Sequence, residues 1–454
     1  MNGEWVRQWT QRPLFACATA FILGYTARLE PLLFLLLFLL VPLIVARFSR
    51  WWTLAGCVLG LLLAPVTPLQ PVRMKRPFAG EIQVVSVARG VKGGSEVDVL
   101  AGGLKCQLTA PEESQINQGD ILLVTGEIGP PSPFHRPILA ARGVSGVLRV
   151  SSIDKVVRAG PGWFKLGAAV RSGFRDFASA SMSREPAALV RSVCFNDDSD
   201  LPKSLRANLV DSGTVHIIST SGLHVALLSG ILFGLFRKLP IPRWAQIALL
   251  GMVLLPYVAA AGWRPPAVRS MILVVGVLLP YMVKRQPDAL SWLSLGFLIT
   301  VIADPHAPLS PSTQLSYAAL LGLVFFVRWP RSGRFRDQAL AVGQGTLAVS
   351  ATTLPLTAFH FGQISLMGPF ANPLIEFVLP VMVGVSLLAW VVGVPALMQW
   401  IIEPLANYVR LIAEWASSPS WAVVQVPSFS GWWLAVYYGL LCALWHPQVR
   451  PKDS

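Results

Sequence analysis

Long apolar runs open and close this chain, and two segments with a different hydrophobic pattern lie between them. Three runs come first, at residues 13–27, 31–46 and 51–66, and nine more follow between residues 214 and 445. A helix needs roughly 17–25 apolar residues to cross the hydrocarbon of a bilayer, and many of these runs approach that length. The pattern therefore predicts an α-helical polytopic membrane protein with about 12 spans.

The two intervening segments predict a β domain and surface helices. Residues 68–157 carry short or alternating apolar segments separated by glycine-rich turns, which is typical of a small β-barrel. Residues 158–210 are amphipathic and charged, which favours helices lying at a membrane surface. The predicted organisation is an anchor of about three helices at 1–67, the β domain at 68–157, interfacial helices at 158–210, about nine spans at 211–446 and a tail at 447–454.

Composition agrees with a membrane protein, and charge gives it an orientation. Hydrophobic residues make up 54% of the 454 residues and charged residues 13%, whereas soluble domains carry about 25% charged residues. The net charge is +14, and Lys and Arg collect in alternate loops, at 237–243, 284–285 and 328–336. Loops of this kind are usually cytoplasmic, so we expect the β domain outside and both termini in the cytoplasm. A basic chain also suits a polyanion such as nucleic acid.

Motifs for catalysis are missing from the sequence. It contains six histidines spread over the chain and five cysteines without a C-x-x-C pair, and it has no H-E-x-x-H, P-loop or G-x-S-x-G motif. Ser221 and His224 have the spacing of a nucleophile and a base, but no carboxylate lies nearby to orient the histidine. We therefore expect no enzymatic activity, no metal site and no cofactor.

Polar residues interrupt the apolar runs at five places, and the densest place is residues 211–225. A continuous helix there would put His216, Thr220 and His224 on one face, while Gly222 would permit a break or close packing. Two interpretations stay open, a packing seam of small residues and a polar route through the membrane. The residues selected for the route are Ser219, Ser221, Gly222, His224, Arg264, Arg269, Gln314, Ser316, Asn372 and Glu376.

These interruptions resemble, in order, the blocks of the ComEC-type competence family. Residues 209–225, L-V-D-S-G-T-V-H-I-I-S-T-S-G-L-H-V, resemble its most distinctive block, and P-P-A-V-R-S-M at 265–271 resembles the next. Later blocks are matched by D-P at 304–305 with Q-L-S at 314–316, and by L-P-L at 354–356 through N-P-L at 372–374. The chain is thus identified as a member of this family, in a form lacking the C-terminal metallo-β-lactamase-like domain of many members.

The resemblance implies a channel that passes single-stranded transforming DNA across the bacterial inner membrane, with an OB-like external domain. Single-stranded DNA and membrane lipids are the implied partners, together with a separate nuclease and a DNA-receptor or motor protein. OB domains bind single strands through a basic groove. The candidate contacts in this domain are Arg89, Lys92, Lys105, Arg136, Arg142 and Arg149. The alternatives are a secondary transporter or lipid-handling protein on the same scaffold, and an accessory paralogue without transport.

Overall fold

The structure is a computed structural model, and its contacts divide the chain into two compact units. It describes residues 72, 74–85, 89–91, 94–110, 118–131, 139, 144–158, 161–218, 222–263, 265–282, 289–303, 307–327 and 335–444. Unit 1 comprises Met1–Pro68, Gln286–Ile364 and Gln425–Ser454, and unit 2 comprises Leu69–Arg285 and Ser365–Val424. The three N-terminal runs predicted as a membrane anchor lie outside the described residues.

Unit 2 begins with a closed five-stranded barrel. The barrel strands are β1 Arg76–Val84, β3 Gly94–Ala101, β4 Leu104–Ala110, β5 Ile121–Gly129 and β6 Gly146–Arg158, and a sixth short strand, β2 Arg89–Val91, lies beside β3. The sheet order is β1-β5-β6-β4-β3, pairing of β1 with β3 closes it, and β4 and β6 run parallel. This arrangement confirms the predicted OB-like domain, and β2, a short hairpin partner of β3, is a strand that the sequence did not predict.

The barrel closes around side chains that alternate along each strand. Ile82 and Val84 on β1 are buried, whereas Glu81 and Gln83 between and beside them are exposed. Cys106 belongs to the same core, and burial raises the pKa of its thiol to about 11, partly offset by Arg76. A continuous apolar interior of this kind fixes the register, because a slip of one residue would turn every core side chain outward.

Helices make up the rest of the described chain. In unit 2 they are α1 Gly162–Ser181, α2 Arg184–Phe195, α3 Lys203–Asp211, α4 Gly222–Phe236, α5 Arg243–Ala260, α6 Pro265–Met282, and, later in the chain, α10 Gly368–Glu376, α11 Leu379–Val392, α12 Pro395–Leu397 and α13 Glu403–Ser417. In unit 1 they are α7 Ala289–Ala303, α8 Pro311–Phe326, α9 Phe335–Phe361 and α14 Trp432–Leu444. Short strands β7 Gln363–Ser365 and β8 Val423–Gln425 pair with each other. Helices therefore lie at or near each of the nine later apolar runs.

Helix α2 is enclosed by its own unit. Its residues from Pro186 to Phe195 are all buried, and it packs against α1, α11 and α13. Two arginines of residues 158–210 form ion pairs within the same segment. Arg191 lies 2.6 Å from Asp200, and Arg175 lies 2.7 Å from Asp197. Burial opposes ionisation of Asp197, but its arginine neighbours and Ser199 hold the pKa of the carboxyl below its usual value.

Two helical stretches in the described part of the chain are long and apolar enough to cross a membrane, judged by length and composition alone. They are Arg243–Ala260 and Gly368–Val392, the second of which combines α10 and α11. Several other apolar helices are shorter than 18 residues. The count of about 12 spans therefore stays a prediction.

A proline within α9 leaves a carbonyl without its helical donor, and a tyrosine of α14 bonds to that carbonyl. Pro355 has no N–H, so the carbonyl of Ala351 four residues earlier loses its helical donor. The hydroxyl of Tyr437 donates to that carbonyl at 2.8 Å, and the hydroxyl of Tyr438 donates to the Thr352 carbonyl at 2.6 Å. Within unit 1, Tyr437 thus replaces the donor that the proline removes.

We expect Tyr437→Phe to destabilise the chain by about 1 kcal/mol, because the Ala351 carbonyl would lose its partner. In a Pro355→Ala background the new backbone N–H supplies that donor, so the same substitution should cost almost nothing. The midpoint of thermal unfolding of the full chain in detergent measures both effects. Tyr438→Phe is the matched control, because Thr352 can keep a helical donor whether or not residue 355 is proline. An equal loss for Tyr437→Phe in both backgrounds would contradict this explanation.

Candidate functional site

The densest polar segment folds as a tight turn and not as a helix. After α3 ends at Asp211, the buried hydroxyls of Ser212 and Thr214 lie 2.8 Å apart, and Gly213 adopts a left-handed φ of 76°. A 3-10 turn, Val215–Ile218, follows. Glycine suits the left-handed position because it has no Cβ to clash with the following carbonyl.

The turn at Gly213 is packed against the start of α10. A Cβ on Gly213 would lie 2.8 Å from the Cβ of Ser365 and 3.2 Å from the Cα of Gly368. Such distances are shorter than real side chains adopt, so only glycine fits. The contact joins the first family-like block to a segment about 150 residues later in the chain.

This contact places His216 beside Glu376. His216 Nε2 lies 3.5 Å from Glu376 Oε1, and the two side chains are 42% and 41% exposed. Asn372 lies one helical turn before Glu376 on α10, and its buried Oδ1 has no hydrogen-bond partner among the described residues. The structure thus brings together two selected residues, Asn372 and Glu376. It adds His216, which lay in the polar block but was not selected for the route.

Helix α4 begins only at Gly222, where it meets α6 closely. A Cβ on Gly222 would lie 2.5 Å from the Oγ of Ser270. The neighbouring Arg269 is 3% exposed, and His224 is 1% exposed. His216 lies in the 3-10 turn Val215–Ile218 and His224 lies in α4, so the two histidines belong to different elements.

A second polar contact lies within unit 1. Gln314 on α8 accepts a hydrogen bond through Oε1 from the protonated Nε2 of His360 at 2.7 Å, and its own Nε2 donates to the Pro308 carbonyl at 2.9 Å. Ser316 on the same helix is partly buried. The sequence placed Gln314 and His360 in different blocks, and the structure brings these blocks together.

The remaining selected residues are described only in part. Ser219, Ser221 and Arg264 lie outside the described residues, as do Lys92, Arg136 and Arg142. Arg89 lies on β2. Lys105 on β4 lies 4.0 Å from Asp98, and Arg149 on β6 is exposed and pairs in register with Thr109 of β4. Lys105 and Arg149 therefore lie on adjacent strands of the barrel.

The chemistry available here is anion contact and proton binding. In the described part of the chain, no group of three or more His, Cys, Asp or Glu residues is arranged to hold a metal ion. The His216–Glu376 pair can bind protons, and the buried Arg269 carries a permanent charge that needs a nearby partner. No selected residue pairs a nucleophile with a base among those described.

Comparisons with curated proteins find several relatives of this chain. Among curated proteins, the chain is similar to Competence protein ComA of Neisseria gonorrhoeae, with 27% identity over 74% of this chain and 50% of that protein. It is 24% identical to ComE operon protein 3 of Bacillus subtilis over 45% of this chain and 26% of that protein. It is 26% identical to the uncharacterized protein YcaI of Escherichia coli, over 56% of this chain and 36% of that protein. The chain spans half or less of the length of these relatives, and no solved structure matches it.

The match to a protein family covers the region that contains both polar contacts. The family model described as Competence protein matches residues 193–451, which include His216, Gln314, His360 and Glu376. That match extends over more than half of the 454 residues. The chain therefore belongs to the Competence protein family.

Proposed function

We propose that this chain is a multi-pass channel that passes single-stranded transforming DNA across the bacterial inner membrane into the cytoplasm during natural competence. The observation that carries the proposal is the Competence family match over residues 193–451, where polar side chains interrupt apolar helices. Interrupted helices of this kind commonly line a substrate route in membrane proteins. The relative from Neisseria gonorrhoeae, whose name refers to competence, supports the same role.

Exposed apolar side chains support a membrane setting for these helices. Phe377 is 83% exposed, Trp400 80% and Val391 75%. Side chains of this size are normally buried in water-soluble folds, whereas lipid tails accept them at no cost. In the proposed arrangement the helices span the inner membrane, the barrel lies outside and both termini are cytoplasmic.

The barrel is proposed to receive the incoming single strand. The faces of OB barrels that bind single strands include the second and third strands, which here are β3 and β4. Lys105 lies on β4, and Arg149 lies beside that strand on β6, so both can contact phosphates that pass over this face. The proposal assigns no catalytic step to the chain.

Deletion of the coding sequence in a naturally competent host tests the proposal. We expect transformation to fall to background, because DNA would no longer reach the cytoplasm, while DNA bound at the cell surface stays unchanged. Nuclease-protected labelled DNA in the cytoplasm is the direct measurement, and restoration of the full chain is the control. Unchanged uptake in the deletion strain would refute the channel. It would favour the accessory paralogue, or the transporter or lipid-handling protein if the barrel also fails to bind single-stranded DNA.

A further inference from the structure

An acidic side chain lies on the proposed route, where a polyanion would meet it. Glu376 is 41% exposed, and an ionised carboxylate repels a phosphate at short range. An acid at this position opposes passage of DNA unless its charge is offset. The offset that the structure offers is His216, whose Nε2 lies 3.5 Å from Glu376 Oε1.

The charge of this pair depends on protons. An imidazole becomes a cation when it binds a second proton, and a carboxylate becomes neutral when it binds one. With His216 neutral and Glu376 ionised the pair carries one negative charge, one added proton makes it neutral, and a second makes it positive. Asn372 presents an amide on the same side of α10, one turn earlier.

The elements packed around the pair carry other titratable or charged side chains. Helices α2 and α3 pack against the 3-10 turn that holds His216, and α11 and α13 pack against α10. His224 lies within electrostatic reach of His216. The other titratable or charged side chains on these elements are Arg184, Glu185, Arg191, Cys194, Lys203, Arg206, Asp211, Glu403, Tyr408, Arg410 and Glu414.

Several of these groups are already paired. Arg191 binds Asp200, Arg206 binds Asp198, and Arg410 binds Glu414, with nitrogen–oxygen distances of 2.6, 2.8 and 2.8 Å. Glu403 accepts a hydrogen bond from Ser183. Helix α11 carries no charged residue. His216 is therefore the ionisable side chain that the structure pairs with Glu376.

We propose that His216 and Glu376 form a proton-dependent contact for the phosphodiester backbone of the DNA. The pair repels a phosphate while it carries a negative charge, and it accepts one after it has bound a proton. The inference rests on the proposed function and adds to it a condition for passage. DNA enters where the solution beside this pair is acidic enough to protonate it.

Transport into vesicles tests this contact directly. The purified full chain is placed in phosphatidylcholine–phosphatidylglycerol vesicles, and a fluorescent single-stranded oligonucleotide is added outside at several pH values, with the internal pH fixed. Uptake should rise as the external pH falls, because the pair must bind a proton before it accepts a phosphate. Vesicles without protein are the background.

Substitutions then separate the two members of the pair. His216→Gln should keep uptake low until Glu376 itself binds a proton, and Glu376→Gln should raise uptake at alkaline pH and weaken its pH dependence. His216→Lys supplies a fixed positive charge and should give uptake at alkaline pH, a gain that a folding defect cannot imitate. Glu414→Gln is the matched control, a carboxylate paired elsewhere, and should keep the unmodified pH profile.

Two failures are distinguishable. If the unmodified chain passes no oligonucleotide at any pH, the proposed function itself fails. If it passes the oligonucleotide while His216→Lys and Glu376→Gln keep the unmodified pH profile at equal protein levels, the proposed function stands and the phosphate contact is refuted.

Discussion

Replacement of Gly213 by alanine is expected to remove most of the inserted, active protein. Two costs add at this position. A left-handed φ of 76° costs an alanine about 1–2 kcal/mol, and the new Cβ would be forced to within 2.8 Å of the Ser365 Cβ. Overpacking of this kind costs about 1–3 kcal/mol more. Losses of this size can change the amount of a protein in a cell several-fold.

A matched control separates the two costs. Gly393 has a nearly identical φ of 73°, and no atom lies within 4 Å of where its Cβ would be. Gly393→Ala should therefore show the backbone cost alone. Removing the Ser365 side chain in a Gly213→Ala, Ser365→Gly double variant should restore part of the loss. The amount of inserted protein, its thermal midpoint and transformation frequency are the measurements, and equal effects of Gly213→Ala and Gly393→Ala would show that the packing contact is unimportant.

The second substitution with a large expected effect lies in the barrel, at Gly126. A Cβ there would lie 2.2 Å from the carbonyl oxygen of Arg149 and 2.9 Å from the Cα of Val150. Both are backbone atoms of β6, so no side-chain rotation can relieve the clash. The register of β5 and β6 shifts between Thr125 and Gly126, and only glycine permits this close approach. Gly126→Ala should separate β5 from β6 and cost about 3 kcal/mol or more.

Gly80 on β1 is the matched control, because its Cβ would make only an ordinary contact, 3.6 Å from the Phe78 ring. Limited proteolysis of the full chain should release fragments of the barrel in Gly126→Ala and not in Gly80→Ala. Binding of single-stranded DNA, measured at several salt concentrations, should weaken in the first variant only. A protease-resistant barrel in Gly126→Ala would contradict the packing argument. Loss of its fold without loss of DNA binding would instead place the DNA contact elsewhere.

Helices and strands could be predicted from the local sequence because apolar residues recur with a different period in each of them. Helix α5 Arg243–Ala260 lies among the later apolar runs, and β5 Ile121–Gly129 lies within the segment 68–157 that was predicted as a β domain. Strand β2 was not predicted, since three residues that include Gly90 carry too little alternation to recognise. Its position depends on pairing with β3 and not on its own sequence.

Long-range contacts could not be predicted from periodicity. His216 and Glu376 are 160 residues apart, and Gln314 and His360 belong to different helices. The intervening residues gave no signal that these side chains would meet. The burial of Arg191 on α2 could not be predicted from the sequence either, because its partner Asp200 lies in a loop outside the helix.

The enclosure of α2 has a consequence for synthesis of the chain. Helices α11 and α13, which cover α2, follow it by about 200 residues, and the unit 1 segment Gln286–Ile364 is made in between. At about 5–20 residues per second, α2 waits roughly 10–40 s before its cover leaves the ribosome. During that interval its apolar sides and the buried Arg191 are open to chaperones, insertion factors and proteases. The yield of this protein should therefore depend on how quickly translation proceeds from α2 to α13.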